Sequence, residues 1–420
     1  MGLAHFRGRD ASGKQTTVYS RDLMKTRTLR LIGVLLIGLT SHASAQMHDH
    51  GAAVPGDGQF NPYIVSDNHG GFYSVFVERK AGKSNVKFQR TNNDRFSNSV
   101  QVNQTDGDGA VRSENPPKLA VGRNGEIYVV WANERERWKG NIRFARSLND
   151  GTSFEPAVNV NSGTSGPPVG RAFQSIVVDH KGRIAVAWID ERQKTAADRG
   201  AEIWMATSDD GGKTFSRDRR VASNVCECCR TALLVDSNDR IYLSYRTVPA
   251  TGAMNRDIVV ARSDDSGQTF KSTIVSHDGW EINACPIAGA AMTIDNSDNI
   301  HVVWFTQLKD SPQLLMASST DRGASFSKPV AFDRDQKLAK HAHAVAAGNG
   351  QVLIAWDDVN DGSKVKWGFV DPIRRSLNLL GTQPKTSYPV IAVSGTKIGL
   401  VAAETESTVF RSIRPLSPSR

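Results

Sequence analysis

Residues 225–236 run VCECCRTALLVD, which places Cys226, Cys228 and Cys229 within four positions. The chain has four cysteines in all, and the other, Cys285, lies in WEINACPIAGAAMTID at 280–295. Two further stretches offer soft or borderline donors. KHAHAVAAG at 340–348 carries His341 and His343, and QMHDHG at 46–51 carries Met47, His48 and His50. Thiolate with imidazole suits Cu(I) or Zn(II), and thioether with imidazole on a tail suits a soft ion. Copper is therefore the first ion expected at Cys226, Cys228, Cys229, Cys285, His341 and His343, with zinc second. Two other chemistries stay open. The four cysteines allow three disulfide pairings, including Cys285 to Cys226 or Cys229 and a vicinal Cys228–Cys229 bridge. An exchangeable disulfide is the third reading, although no thioredoxin-like βαβ pattern surrounds the cluster.

The compartment bears on all three. Residues 24–45 read MKTRTLRLIGVLLIGLTSHASA. Lys25, Arg27 and Arg30 precede a short apolar run, and Ala43-Ser44-Ala45 has the small-residue spacing of a cleavage site. This is the pattern of a secretory signal peptide, and the run is too short for a membrane span. The expected organisation is a leader over 1–45 with translation starting at Met24, then a Met/His tail over 46–56. A single domain over 57–415 and a short tail over 416–420 follow. A periplasmic or secreted location follows, where thiols oxidise unless held. The formal charge is +9, and the leader holds seven Lys/Arg against two Asp, which leaves +4 for the rest. With no basic run, nucleic acid is not an expected partner. The expected partners are a metal ion or a glycan, and the expected state is a monomer.

The elements that position these residues come from a repeat. SDDGGKTF at 208–215 recurs as SDDSGQTF at 263–270, STDRGASF at 319–326 and SLNDGTSF at 147–154. The remnant TNNDRF stands at 91–96. Asp210, Asp265 and Asp321 can accept backbone N–H bonds within a turn, and the glycine two positions on supplies a positive φ. β-rich blocks such as GEIYVVW (125–131), GRIAVAW (182–188) and GQVLIAW (350–356) separate the turns. Their last aromatics align as Trp131, Trp188, Tyr245, Trp304 and Trp356, with Phe76 before and Ala402 after. Helical periodicity is almost absent. Four short strands at that period make a propeller blade, so the fold expected is an all-β propeller of six to seven four-stranded blades, seven favoured. The last unit, about 388–415, has three strands, and a strand near Gly58–Tyr63 is expected to complete it and close the ring.

The Ser-x-Asp-x-Gly-x-Thr-Phe turn resembles the Asp-box, or BNR repeat, of sialidase-like propellers. The resemblance implies a propeller in which the box is a structural turn. It also implies a possible exo-sialidase-type glycoside hydrolase, which grips a substrate carboxylate with three arginines and uses a Tyr nucleophile and an Asp acid/base. Arg171, Arg230 and Arg246, at the ends of inner strands, are the candidates for the clamp. The family's Phe/Tyr-Arg-Ile-Pro stretch has no counterpart in FNPYIVSDNHG at 60–70. Arg135 and Arg192, in NER and DER, are expected to pair locally. A carbohydrate- or protein-binding propeller with structural disulfides is the remaining alternative.

The repeat also sets where the donors meet. Asp236 stands nine residues before Tyr245, as Asp179 does before Trp188 and Asp295 before Trp304. The 226–229 cysteines, Cys285 and the 340–348 histidines therefore each precede or open the innermost strand of consecutive blades. The expectation is a Cys/His cluster at one mouth of the central channel, where Trp280, Glu227 and Asp278 would sit beside it.

Overall fold

The structure is a computed structural model, and it describes residues 56–112, 114–284, 286–308, 311–333, 339–348, 350–359, 362–404 and 408–416. Every regular element among them is a β-strand, arranged as seven antiparallel sheets in chain order. The third blade shows the plan. Its strands Arg171–Val178, Ile184–Asp190, Ala201–Ser208 and Arg219–Val225 pair in sequence from the axis outwards. Among the described residues no helix is long and apolar enough to cross a membrane.

The second strand of each blade is packed on both faces, which is why its middle is largely apolar rather than alternating. Ile184–Asp190 and Val352–Asp358 are buried at every position. The core is correspondingly a ring of seven layers, each between consecutive blades, and six of them hold nine to fifteen buried apolar residues. The marker aromatics are the keys to the register. Tyr63, Lys118, Ser175, Ala232, Ala291, His343 and Val390 each pair with the residue just before the marker of its blade. These seven positions form one circle around the channel.

The repeated turns behave as their composition requires. Ser208 Oγ donates to Asp210 Oδ1 at 2.7 Å and accepts from Gly212 N at 2.9 Å, while Asp210 accepts from Thr214 N and Thr214 Oγ1. The same pattern recurs around Asp265 and Asp321, and Asn149 substitutes in the second blade. Each turn also reaches the blade before it. Gly212 lies under the Phe144 ring, so a Cβ there would stand 2.3 Å from it, and Phe215 meets the same ring edge-on at 5.1 Å.

One expectation of the sequence is corrected. Gly58–Ser66 does not complete the last blade; it pairs with Phe72–Lys80 as the innermost strand of the first. The short connection over 67–71, held by Asp67 accepting from Gly71 N, turns the chain straight back on itself and fixes that hairpin. The last sheet keeps three strands, Thr386–Ser394, Lys397–Glu404 and Val409–Pro415. Among the described residues, side chains close the ring there. Ile64 and Phe72 pack with Val390, Ala392 and Val401, Ser66 bonds Ser394, and Arg411 reaches Gln59.

Candidate functional site

The innermost strands are not straight. A bulge interrupts the pairing between Phe60 and Tyr63, Ala172 and Ser175, Lys340 and His343, and Ser387 and Val390. Within these bulges Asn61, Phe173, His341 and Tyr388 take φ near +50°. A bulge re-aims a side chain that would otherwise obey the alternation of the strand. Here it brings His341 and Tyr388 together at the leading end of the channel, with rings 4.3 Å apart and tilted by 37°.

Glu114, which also has a positive φ, enters this place from the loop before the second blade. Its Oε1 lies 2.5 Å from His341 Nε2 and its Oε2 lies 3.4 Å from Arg230 Nε. Asp357, one residue after the marker Trp356, holds His341 Nδ1 at 2.6 Å and accepts from Tyr388 N at 3.2 Å. Glu114, His341 and Asp357 are buried, and Tyr388 is half-buried. Burial alone would drive the imidazole neutral. The Glu114 and Asp357 carboxylates overcome this and raise His341 to about 9, so it is an imidazolium at neutral pH.

Arg230 links this cluster to the channel, a cavity of about 270 Å³ lined by all seven innermost strands. Lys118 donates to Ser175 Oγ at 2.8 Å and to Thr231 O at 3.1 Å, beneath the Tyr63 ring. Burial first, then the Arg230 charge, lowers Lys118 to about 7. Burial, Arg230 and Lys118 together depress His343 to about 3, and its Nδ1 accepts from Ile391 N. Arg230 thus brings the positive charge to the lumen, Lys118 is near half-protonation at neutral pH, and the histidine is neutral.

Of the three expected arginines, Arg230 alone lines the channel. Arg171 is buried against Asp190 at 2.9 Å and donates to Gly140 O. Arg246 is fully buried, donates to Ala288, Arg256 and Phe305 carbonyls, and stacks on Trp280. Arg192 pairs with Asp190 as expected and also with Asp218. Glu114, Lys118, Asp357, Tyr63 and Tyr388 are the functional candidates that the sequence motifs pass over. A visible signal existed for two of them, since Tyr63 and Lys118 share the register of His343 around the circle.

The cysteines form a separate pocket in the crossover from the third blade to the fourth. Cys226 Sγ lies 2.9 Å from Cys229 Sγ and 3.5 Å from Cys228 Sγ. All three are buried, with Val248 and Met254 packed on them. Cys226 and Cys229 are free thiols, whereas Cys228 is not. Burial opposes ionisation of Cys226, but the Cys229 thiol and the Arg256 guanidinium, whose Nη1 is 3.4 Å from its sulfur, bring it below the usual thiol range. Burial and the neighbouring Cys226 push Cys229 well up. The donor group whose atoms lie within 4.8 Å of one another contains the three cysteines; His341 and His343 stand instead with Glu114 and Tyr63. Cys285, Met47, His48 and His50 lie outside the described residues. Glu227 is held by Lys194 at 2.6 Å, and Asp278 accepts from Trp304.

Comparison with known proteins bears on the fold and the family. Residues 81–396 match the model of the BNR repeat-like domain. No curated protein matches the chain in sequence. Among solved structures, a protein of unknown function from Dyadobacter fermentans is 14% identical with a TM-score of 0.52, covering 85% of this chain and 93% of that one. A PL25 ulvan lyase bound to GlcA(1-4)Rha3S is 10% identical with a TM-score of 0.57, covering 86% and 94%. The Hadza microbial sialidase Hz136 is 13% identical with a TM-score of 0.50, covering 82% and 76%. At these identities the likeness is one of fold, a sialidase-like seven-bladed propeller. The family match spans most of that propeller, and the chain belongs to the BNR repeat-like domain family.

Proposed function

We propose that this propeller binds an anionic polysaccharide at the leading end of its channel and cleaves it by elimination. The observation that carries the reading is the Glu114–His341–Asp357 cluster, with Tyr388 stacked on it and Arg230 beside it. A uronate carboxylate needs one cation to neutralise it, and Arg230 supplies that. Neutralisation acidifies the adjacent C–H. Tyr388, acting as its phenolate, accepts that proton and becomes the phenol as the bond to the departing sugar oxygen breaks, and His341 gives that oxygen its Nε2 proton, otherwise held by Glu114, and becomes neutral. The product is one unsaturated sugar and one new reducing end. A sialoside clamp of three arginines is disfavoured because Arg171 and Arg246 are occupied by Asp190 and by backbone carbonyls. An ulvan lyase and a sialidase among proteins of like fold support an acidic glycan as the ligand class.

Incubation with uronate-rich polysaccharides and with α-sialosides tests the reading. Elimination yields ultraviolet absorbance and reducing ends in equal amounts, lost with Arg230→Ala and lowered roughly 10²- to 10⁴-fold with Tyr388→Phe. Reducing ends without absorbance indicate hydrolysis and refute the eliminative step; absence of both binding and products across the substrates refutes the site.

The reading also includes export with cleavage after Ala45, leaving Gln46 as the first residue, which N-terminal sequencing of the exported protein checks. A disulfide between Cys228 and Cys285 accompanies it. Cys228 is not free, its two neighbours are, and Cys285 is the one cysteine left. Two thiols per unfolded, unreduced chain are then expected to react; four would refute the bridge.

A further inference from the structure

Apart from the glycan reading, we propose that Cys226, Cys229 and Met254 form a buried site for a single Cu(I) ion. The donors are all sulfur. Two are free thiols in Cys-x-x-Cys spacing, 2.9 Å apart, and the third is that of Met254, which packs on the same cluster and whose Sδ lies 3.4 Å from Arg199 Nη1, so the side chain turns to reach the ion. Thiolate and thioether together select a soft monovalent ion. Zinc sites take four nitrogen, oxygen or thiolate donors, and among the described residues the local group consists of cysteines alone.

The surroundings fit the charge of such a complex. Cu(I) displaces one proton from each thiol, so the bound unit carries a single negative charge. The Arg256 guanidinium, 3.4 Å from Cys226 Sγ, faces that charge. Its remaining nitrogens are anchored on the Ile282 and Ala284 carbonyls, which keeps it in place whether or not the ion is bound. Cys226 N is fixed on Arg246 O at 2.8 Å, and Val248 N on Asn224 O at 2.7 Å, so the loop is tied to the fourth blade at both sides. Two sulfurs sharing an ion, each about 2.3 Å from it, stand ~4 Å apart. The pair therefore parts by about an ångström on binding, a side-chain rotation within an apolar pocket.

The test uses the full chain, purified anaerobically, titrated with Cu(I) against a chromophoric Cu(I) chelator. The expected result is one ion per chain, with release of two protons and an X-ray absorption spectrum of sulfur neighbours only. Cys226→Ser and Cys229→Ser abolish binding. Arg256→Gln weakens it roughly 10- to 100-fold, as loss of an outer hydrogen bond does, and Met254→Leu removes one sulfur from the spectrum. These two keep the proposal falsifiable if the cysteine variants do not fold. Joint replacement of Met47, His48 and His50 leaves the stoichiometry unchanged. Binding that survives loss of both cysteines, copper lost with the tail residues, nitrogen neighbours in the spectrum, or displacement by equimolar Zn(II) would each overturn the site. Polysaccharide cleavage is a separate readout and is unaffected by Met254→Leu.

Discussion

Replacing His341 by Asn removes the cation between two buried carboxylates and should convert a pH-dependent stability into a nearly flat one. The imidazole is raised from 6.5 to about 9, by Glu114 and Asp357 against the opposing effect of burial. At ~1.4 kcal/mol per unit the difference corresponds to about 3 kcal/mol. A base whose folded pKa is raised stabilises fully below its unfolded pKa. The contribution is therefore whole below about pH 6.5 and disappears as pH rises through about 9. In the variant Glu114 keeps Arg230 and Asp357 keeps the Tyr388 N–H, but both lose the imidazolium, at a cost of up to roughly 3–5 kcal/mol near neutral pH. Urea unfolding of both proteins at about pH 6 and about pH 10 measures the gap, which should shrink by about 3 kcal/mol at the higher pH. An equal gap at both values would show that His341 is not held charged, and the proton it is asked to supply would go with it.

His343 should act on the other limb. Burial, Arg230 and Lys118 hold it near 3, so the unfolded chain takes up a proton that the folded one refuses, and stability falls as pH drops from about 6.5 towards 3; His343→Leu should flatten that limb in the same unfolding assay. Gly212→Ala forces a Cβ to within 2.3 Å of Phe144 at φ +81°, and should cost about 1–3 kcal/mol by thermal unfolding, whereas the same change at Gly182, with open space but a similar φ, should cost less.

The fold was legible because its signals are local and repeated. The Asp-box composition prescribes its own hydrogen bonds, and the marker aromatics sit where each blade needs a large buried side chain. The innermost ring of the site could have been reached by counting back from those markers, since Tyr63, Lys118 and His343 each pair with the residue just before one. The pairing of His341 with Tyr388 could not. It depends on bulges that break the two-residue period, and nothing in the composition of Lys340–His343 marks a backbone turned to positive φ. Glu114 arrives from an irregular loop, where neither period nor motif applies. The cysteines show the same limit from the other side. Their proximity to one another was readable from spacing, yet their separation from the histidines depends on which way a crossover folds.

The circle is fastened unevenly. The seventh and first blades, unlike the other neighbours, are not consecutive in the chain, and the apolar layer between them has five buried residues, the smallest of the seven. Breathing of the molecule should begin along that line, and amide exchange should be fastest in the strands that flank it. Tyr388 rides on the seventh blade, while the groups it meets, His341 and Asp357, ride on the sixth. Tyr388 is therefore mounted on the sector with the thinnest apolar border, and a movement of that sector would shift its ring while leaving His341 and Asp357 in register with each other.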